Sequence, residues 1–200
     1  MTIYFDIDST VFMTKMFTKT RIDAAVQEIL GISVEQLAEI NDRYYATLTK
    51  GTDFNFNEYA RFISEDSATV EAITRLFTEK KLYEGMVYPD VEPILQLLKD
   101  RGDTIGIYSE GFQDYQMYKL QHTEILPFFD ANHMHIARRK QTDEVVAKLE
   151  DGALIIDDKL EYLQTVPESC TPLWIQRNEN EGVPTIATIR SLEEIERFLE

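Results

Sequence analysis

Two aspartates open the case for chemistry in this sequence. Asp6 and Asp8 follow the run Thr2-Ile3-Tyr4-Phe5, whose β-branched and aromatic residues predict a buried strand. Side chains alternate along a strand, so residues two apart are expected to project to the same side at its end. Two carboxylates placed together repel each other unless a cation or a shared proton relieves them. A hard divalent ion with oxygen ligands, such as magnesium, meets that need. Taken alone, Asp-x-Asp is also an ordinary solvated turn, and the pattern does not choose between the two.

Polar residues at comparable places elsewhere tip the reading. Ser109 follows the apolar run Thr104-Ile105-Gly106-Ile107-Tyr108, and Asp157-Asp158 follow Ala153-Leu154-Ile155-Ile156. A serine hydroxyl can donate to a phosphoryl oxygen, and further carboxylates can fill a metal's remaining positions. Lys140 lies just ahead of the helix leading into the third run, where a cation could neutralise both a phosphate and the crowded carboxylates. Each residue has a bland reading, as a helix cap, a surface lysine or a turn. Those readings do not explain why all of them occur in order at the ends of successive strands.

The elements that must position these residues follow from the periodicity. Leu173-Trp174-Ile175 and Thr185 to Ile189 predict two further strands. Val91 to Lys99 is apolar at Val91, Ile94, Leu95 and Leu98, one face of a helix, with Asp90 as its N-cap and Gly102 as its stop. Thr142 to Leu149 and Leu192 to Leu199 repeat the helical pattern, the second capped by Ser191. Strands alternating with helices predict an α/β fold with a doubly wound, mostly parallel sheet, in which ligands bind beyond the carboxyl ends of the strands. The stretch from Phe12 to Tyr83 carries no strand pattern. Ile22 to Leu30 reads as a helix stopped at Gly31, and Ser33 with Gln36 forms a capping box opening a helix that runs towards Gly51. Asn57 to Ile63 and Ser67 to Phe77 add two more. The expected organisation is a core of residues 1–12 and 84–200 with a small all-helical cap of residues 13–83.

At this point the sequence resembles a known family. Phe5-Asp6-Ile7-Asp8-Ser9-Thr10 resembles the first motif of the haloacid dehalogenase-like (HAD) hydrolases, Ile107-Tyr108-Ser109 their second, Lys140 their third and Ile155-Ile156-Asp157-Asp158 their fourth. Tyr88-Pro89-Asp90-Val91 with Leu95, Leu98 and Gly102, and Gln116 through Lys119-Leu120 to Phe128-Phe129-Asp130, follow the spacing of the subfamily with a helical cap after motif one. The resemblance implies a Rossmann-like core and a magnesium-dependent phosphatase acting on a small phosphorylated metabolite. Asp6 would attack phosphorus and form an aspartyl-phosphate, and Asp8 would serve as the acid and base. Ser109 and Lys140 would hold the phosphoryl oxygens. Magnesium would be held by Asp6, by Asp8 through the Ile7–Asp8 backbone, and by Asp158 with Asp157 in support, the order within that last pair being open.

Departures from the family pattern narrow the expectation. Ser9 stands where glycine is commonest, a version that resembles phosphoserine phosphatases. In Ser109-Glu110-Gly111-Phe112, however, Glu110 replaces a glycine of that group, so phosphoserine is not assigned. Lys140 lacks the following proline common in relatives and competes with Arg138 and Arg139. The dehalogenases of the family generally lack the second aspartate, so Asp8 favours phosphoryl transfer. A phosphotransferase or mutase with the same nucleophile, and a catalytically idle binding protein, are the rival readings.

Composition bounds the partners. A formal charge of −16 over 200 residues repels phosphate backbones, so no nucleic-acid polymer is expected, and Arg138-Arg139-Lys140 is too short for a nucleic-acid arm. No run approaches the ~20 apolar residues that span a bilayer, and the opening run Thr2-Ile3-Tyr4-Phe5 shows no basic start or cleavable apolar stretch, so no leader is expected. A single cysteine, Cys170, suits a reducing compartment, so a cytoplasmic protein is the default. In the cap, Tyr44, Tyr45, Phe54, Phe56 and Tyr59 read more naturally as helix packing than as a stacking surface for substrate. Asn55 and Arg61 are polar candidates there. Phe12, Met13, Lys15 and Met16 suggest a flap at the site, and His133-Met134-His135 reads as a surface loop.

Overall fold

The apolar runs assemble into one sheet. In the computed structural model, which describes residues 1–48, 53–177 and 186–199, six strands run parallel in the order β3-β2-β1-β4-β5-β6. They are β1 (Thr2–Phe5), β2 (Thr104–Glu110), β3 (Met134–Ala137), β4 (Leu154–Asp157), β5 (Thr171–Ile175) and β6 (Ala187–Ile189). The chain order reverses direction on either side of β1, which places a crevice at the carboxyl ends of β1, β2 and β4.

Both faces of the sheet are covered, as a parallel sheet requires. Ile3, Phe5, Ile107, Leu154 and Ile156 point into one buried cluster, with Leu95 and Leu98 of a covering helix. Tyr4, Tyr108 and Ile155 point into the other, with Val145, Leu149 and Leu163. Gly106 is required by the register between β1 and β2. It pairs with Tyr4, and a Cβ there would lie 2.5 Å from the Tyr4 ring.

From Thr14 to Tyr83 the described residues hold helices and no strand. They are α1 (Thr14–Phe17), a π turn over Thr18–Ile22, α2 (Asp23–Leu30), α3 (Val34–Thr47), α4 (Phe56–Ile63), α5 (Ser67–Leu76) and α6 (Lys80–Tyr83). Ser33 and Gln36 make both bonds of the expected capping box, and Gly31 closes α2 with φ +65°. α3 ends at Thr47, and Gly51 lies outside the described residues. The chain enters and leaves this helical segment side by side, since Met13 N–H donates to the Met86 carbonyl (2.8 Å) and Tyr88 N–H to that of Val11 (3.2 Å). The remaining helices are α7 (Val91–Arg101), α8 (Gln113–His122), α9 (Asp143–Val146) and α10 (Leu160–Leu163), and a 3₁₀ turn spans Leu192–Phe198.

Several local expectations change. His135 lies on β3, an edge strand too short and too mixed in polarity to stand out from the sequence. Asp90 occupies the N-cap position of α7, as expected, but its side chain makes no capping bond. Its carboxylate accepts instead from Arg177 (2.5 Å), the Ser191 hydroxyl (2.8 Å) and Leu192 N–H (2.7 Å), tying the start of α7 to the last turn of the chain. Arg177 also donates to the Thr10 carbonyl (2.7 Å). Thr185 lies outside the described residues, and β6 begins at Ala187. Phe12 is no part of a flap, because its ring is buried against Phe17 and Tyr83 at 5.2 and 5.9 Å.

Candidate active site

β1 carries its ladder one residue past Phe5, where Asp6 N–H donates to the Ile156 carbonyl (2.9 Å). Beyond Asp6 the chain stops being a strand. The Ile7 carbonyl accepts from both Val11 and Phe12, and Ser9 sits in the left-handed region at φ +59°. That conformation explains why glycine would suit the position. It also ends the two-residue alternation, so Asp6 and Asp8 do not share surroundings.

Asp6 faces a lysine and two further carboxylates. Lys140 Nζ donates to Asp6 Oδ1 at 2.7 Å and to Asp157 Oδ2, and its side chain is fully buried. Its backbone is held as well, by Tyr108 OH on its carbonyl (2.7 Å) and by Glu110 Oε2 accepting its N–H (3.2 Å). Tyr162 OH in turn donates to Glu110 Oε1 (2.8 Å), so the carboxylate that departs from the family pattern is committed to placing Lys140. The ammonium lies 4.3 Å from the centre of the Tyr162 ring. Burial alone would lower a lysine, but Asp6 and Asp157 outweigh it and hold Lys140 above its ordinary value. Arg138 and Arg139 do not compete. Both pair with Asp53, at 2.5 and 2.6 Å, joining the strand-end loop to the helical segment.

Asp6, Asp157 and Asp158 offer one oxygen each within 4.8 Å of one another. Burial, followed by the charge of Asp6, raises Asp157 and Asp158 each to about 7. Asp158 Oδ1 is buried with no hydrogen-bond partner, while Trp174 Nε1 steadies the Asp158 carbonyl (2.9 Å) and Lys159 N–H donates to Asp157 Oδ1 (2.9 Å). Three carboxylates against one lysine leave two negative charges, which a divalent cation would cancel. Magnesium prefers carboxylate oxygens, and Asp6, Asp157 and Asp158 are the residues that would hold it. The donor set therefore fits magnesium.

Asp8 turns to the opposite environment. Its Oδ1 accepts from Lys119 Nζ (2.6 Å) and Thr14 Oγ1 (2.5 Å), and its Oδ2 from Gln116 Nε2 (2.8 Å). Burial would raise the carboxyl, yet Lys119 and the three donors bring it down to about 2. The Asp8 carboxylate is not part of the three-carboxylate cluster. Gln116 and Lys119 come from the buried face of α8 and entered the sequence reading only as family spacing. That spacing was the available signal, because the apolar residues of α8 do not gather on one face that would mark Gln116 and Lys119 as buried. Gly111, at φ +142°, lets Gln116 close on the turn after β2, where Gln116 also donates to the Glu110 carbonyl (2.8 Å). Ser109 is the penultimate residue of β2, in the row of strand ends, 1% exposed, and its hydroxyl has no partner.

Asp8, with Lys119 and Tyr115 of α8, also lines a cavity of about 160 Å³ whose other walls come from the helical segment. Tyr45, Phe54 and Tyr59 line it, while Tyr44 and Phe56 serve packing, ringed by Tyr59 at 5.1 Å and Phe77 at 5.4 Å respectively. Asn55 caps α4, accepting from Asn57 and Glu58 N–H, and Arg61 does not line this cavity.

Comparisons with known proteins agree with the architecture. The family model for haloacid dehalogenase-like hydrolases matches residues 1–162. No curated protein matches by sequence. YfnB from Bacillus subtilis, crystallised with magnesium, superposes with a TM-score of 0.73 at 17% identity, over 100% of this chain and 98% of that one. A HAD phosphatase from Thermococcus onnurineus gives 0.70 at 22% identity, over 99% and 97%. A haloacid dehalogenase-like protein from Burkholderia xenovorans gives 0.76 at 16% identity, over 97% and 94%.

Proposed function

The chain belongs to the haloacid dehalogenase-like hydrolases, and from that premise we propose that it is a magnesium-dependent phosphatase acting on a small phosphorylated metabolite. The observation that carries this reading is Asp6 held by buried Lys140 within a three-carboxylate cluster, with a second aspartate turned towards a cavity. Asp6, Asp157 and Asp158 would hold magnesium, which when bound supplies Lewis-acid neutralisation of the phosphoryl oxygens.

The chain's own residues divide the reaction into two displacements. An Asp6 oxygen attacks phosphorus as the bond to the ester oxygen breaks, and Asp8 gives a proton to the departing alkoxide. Lys140 and the partnerless Ser109 hydroxyl bind the transferred oxygens. Water then attacks phosphorus, Asp8 takes its proton, and the bond to Asp6 breaks to release phosphate. Lys119 keeps Asp8 ionised at rest, the form the second step uses. The ester enters as its monoanion and supplies the proton of the first step, which Asp8 takes up and passes to the departing alkoxide, while the remaining negative charge of the ester offsets Lys119. A halide leaves without a proton, so a dehalogenase would have no task for a carboxylate held this way.

The setting we assign is the cytoplasm, supported by Cys170, the one cysteine, which is buried and unpaired. Among the described residues no helix is long and apolar enough to cross a membrane. The reading is tested by hydrolysis of phenyl phosphate with magnesium, with a chelator, and in Asp6→Asn. We expect turnover only in the first, with acid-quenched protein carrying phosphate on Asp6. Equal turnover by Asp6→Asn and the parent would remove Asp6 from the mechanism.

A further inference from the structure

The cavity beside Asp8 says more about the substrate than the strand ends do. Its volume, about 160 Å³, is close to that of an engineered cavity that holds one benzene molecule. That volume suits a leaving group of about six to eight heavy atoms, and Thr14, Thr18, Asp23 and Tyr45 continue from it into a wider outer groove. Five aromatic rings line it, Tyr45, Phe54, Tyr59, Phe77 and Tyr115. The ionisable groups among its described lining residues, tyrosines aside, are Asp8, Lys119 and Asp23. Asp8 and Lys119 neutralise each other at 2.6 Å, which leaves the charge of Asp23.

Asp23 reaches this cavity because the π turn over Thr18–Ile22 resets the helix phase immediately before it. Its carboxylate accepts from Asn41 (3.2 Å), whose own oxygen accepts from Tyr59 OH (2.6 Å), so the group is placed from two other helices. The aromatic wall already accommodates a cation, since Lys119 Nζ lies 4.4 Å from the centre of the Tyr115 ring. Anions are disfavoured in the same place, because burial and then Asp23 push the Tyr59 phenol up. A small aromatic enclosure with one unneutralised carboxylate matches one ligand chemistry, an organic ammonium ion.

Resting on the phosphatase reading, we propose that the substrate is a compact phosphate monoester whose alcohol carries an ammonium group, recognised by Asp23 and the aromatic walls of this cavity. The phosphate would sit at Asp6 and the cationic end between the helices. The net charge of −16 adds a general attraction for such a ligand's positive end.

The experiment compares kcat/KM, with magnesium, for phosphocholine, its neutral isostere 3,3-dimethylbutyl phosphate, and the anionic phosphoglycolate, with phenyl phosphate as the control. We expect phosphocholine to exceed the neutral isostere by about tenfold or more, and phosphoglycolate to be the poorest. Asp23→Asn should bring the cation-to-neutral ratio close to one. Tyr45→Leu should reduce that ratio, and Tyr45→Phe, which keeps the ring, should retain it. Equal or better turnover of the neutral isostere, or a ratio unchanged in Asp23→Asn, overturns the proposal while phenyl phosphate turnover leaves the phosphatase reading standing. If no ester is hydrolysed, phenyl phosphate included, the phosphatase reading has failed and this inference falls with it.

Discussion

Asp6 and Asp8 are two residues apart in sequence, and each meets a buried lysine, but the two pairs live in different surroundings. Lys140 is shared between Asp6 and Asp157 in a site where carboxylates outnumber cations, so the neighbours of Asp6 are pushed up towards about 7. Lys119 serves Asp8 alone, with Thr14 and Gln116 in support, and Asp8 is brought down to about 2. One side is short of positive charge and the other is balanced. In the proposed mechanism that difference separates a place for a divalent ion and a phosphoryl group from a place where a single proton is exchanged. It also teaches that adjacent residues of one motif can draw their chemistry from parts of the chain 134 and 111 residues away.

The comparison is open to direct attack. Asp6→Asn should cost on the order of 10⁴-fold or more in kcat and abolish the phosphoenzyme, as loss of a nucleophile does elsewhere. Asp8→Asn should cost on the order of 10²- to 10⁴-fold, the usual worth of a general acid and base, and spare magnesium affinity. Equal effects of both substitutions on metal binding, read by calorimetry, would collapse the distinction between the two sides.

Lys140→Met should destabilise by about 3 to 5 kcal/mol, because it leaves Asp6 and Asp157 buried without their cation. Added magnesium should recover part of that loss in urea unfolding. Lys119→Met should cost less, about 2 kcal/mol, since the Asp8 side chain is 29% exposed and can draw on water. Magnesium should recover none of it. A larger loss for Lys119→Met than for Lys140→Met would reverse the ranking.

The smallest effect concerns the frame that carries both sides. Asp90 lies below the ordinary carboxylate range, because burial, which raises it, is outweighed by Arg177 and the Leu192 and Ser191 donors. A depressed carboxyl stabilises the fold above its unfolded value near ~3.9, and that contribution is lost as pH falls through the folded value. Arg177→Met should therefore lower stability by about 1 kcal/mol at pH 7, because the Ser191 and Leu192 donors stay with Asp90, with the gap to the parent narrowing as pH drops below ~4. Melting curves between pH 7 and 3 would read this, and a gap that widened on acidification would contradict the assignment.

The alternation of strand and helix was readable because β-branched runs such as Ile3-Tyr4-Phe5 and Leu154-Ile155-Ile156 are local signals that burial on both faces of a sheet enforces. Ser109 and Asp157-Asp158 stood out as polar residues ending such runs, and Lys140 as a cation just ahead of the helix that leads into the third. β3 was not readable, since Met134-His135-Ile136-Ala137 is half-buried throughout and forms a strand only because β2 offers it an edge. Lys119 was hidden for a related reason. Nothing in the residues of α8 says that the lysine points inwards until Asp8 is there to receive it.

The sequence by itself determined that acidic and hydroxyl side chains would end successive strands of a parallel sheet, because strand period and apolar content are properties of short segments. Only the tertiary structure decided which lysine neutralises which aspartate, that Ser9 turns the chain so that Asp8 departs from Asp6, and that Asp23 and five rings enclose a cavity. Those outcomes depend on desolvation and pairing between remote segments, and a charge takes its value from the neighbours that packing brings to it.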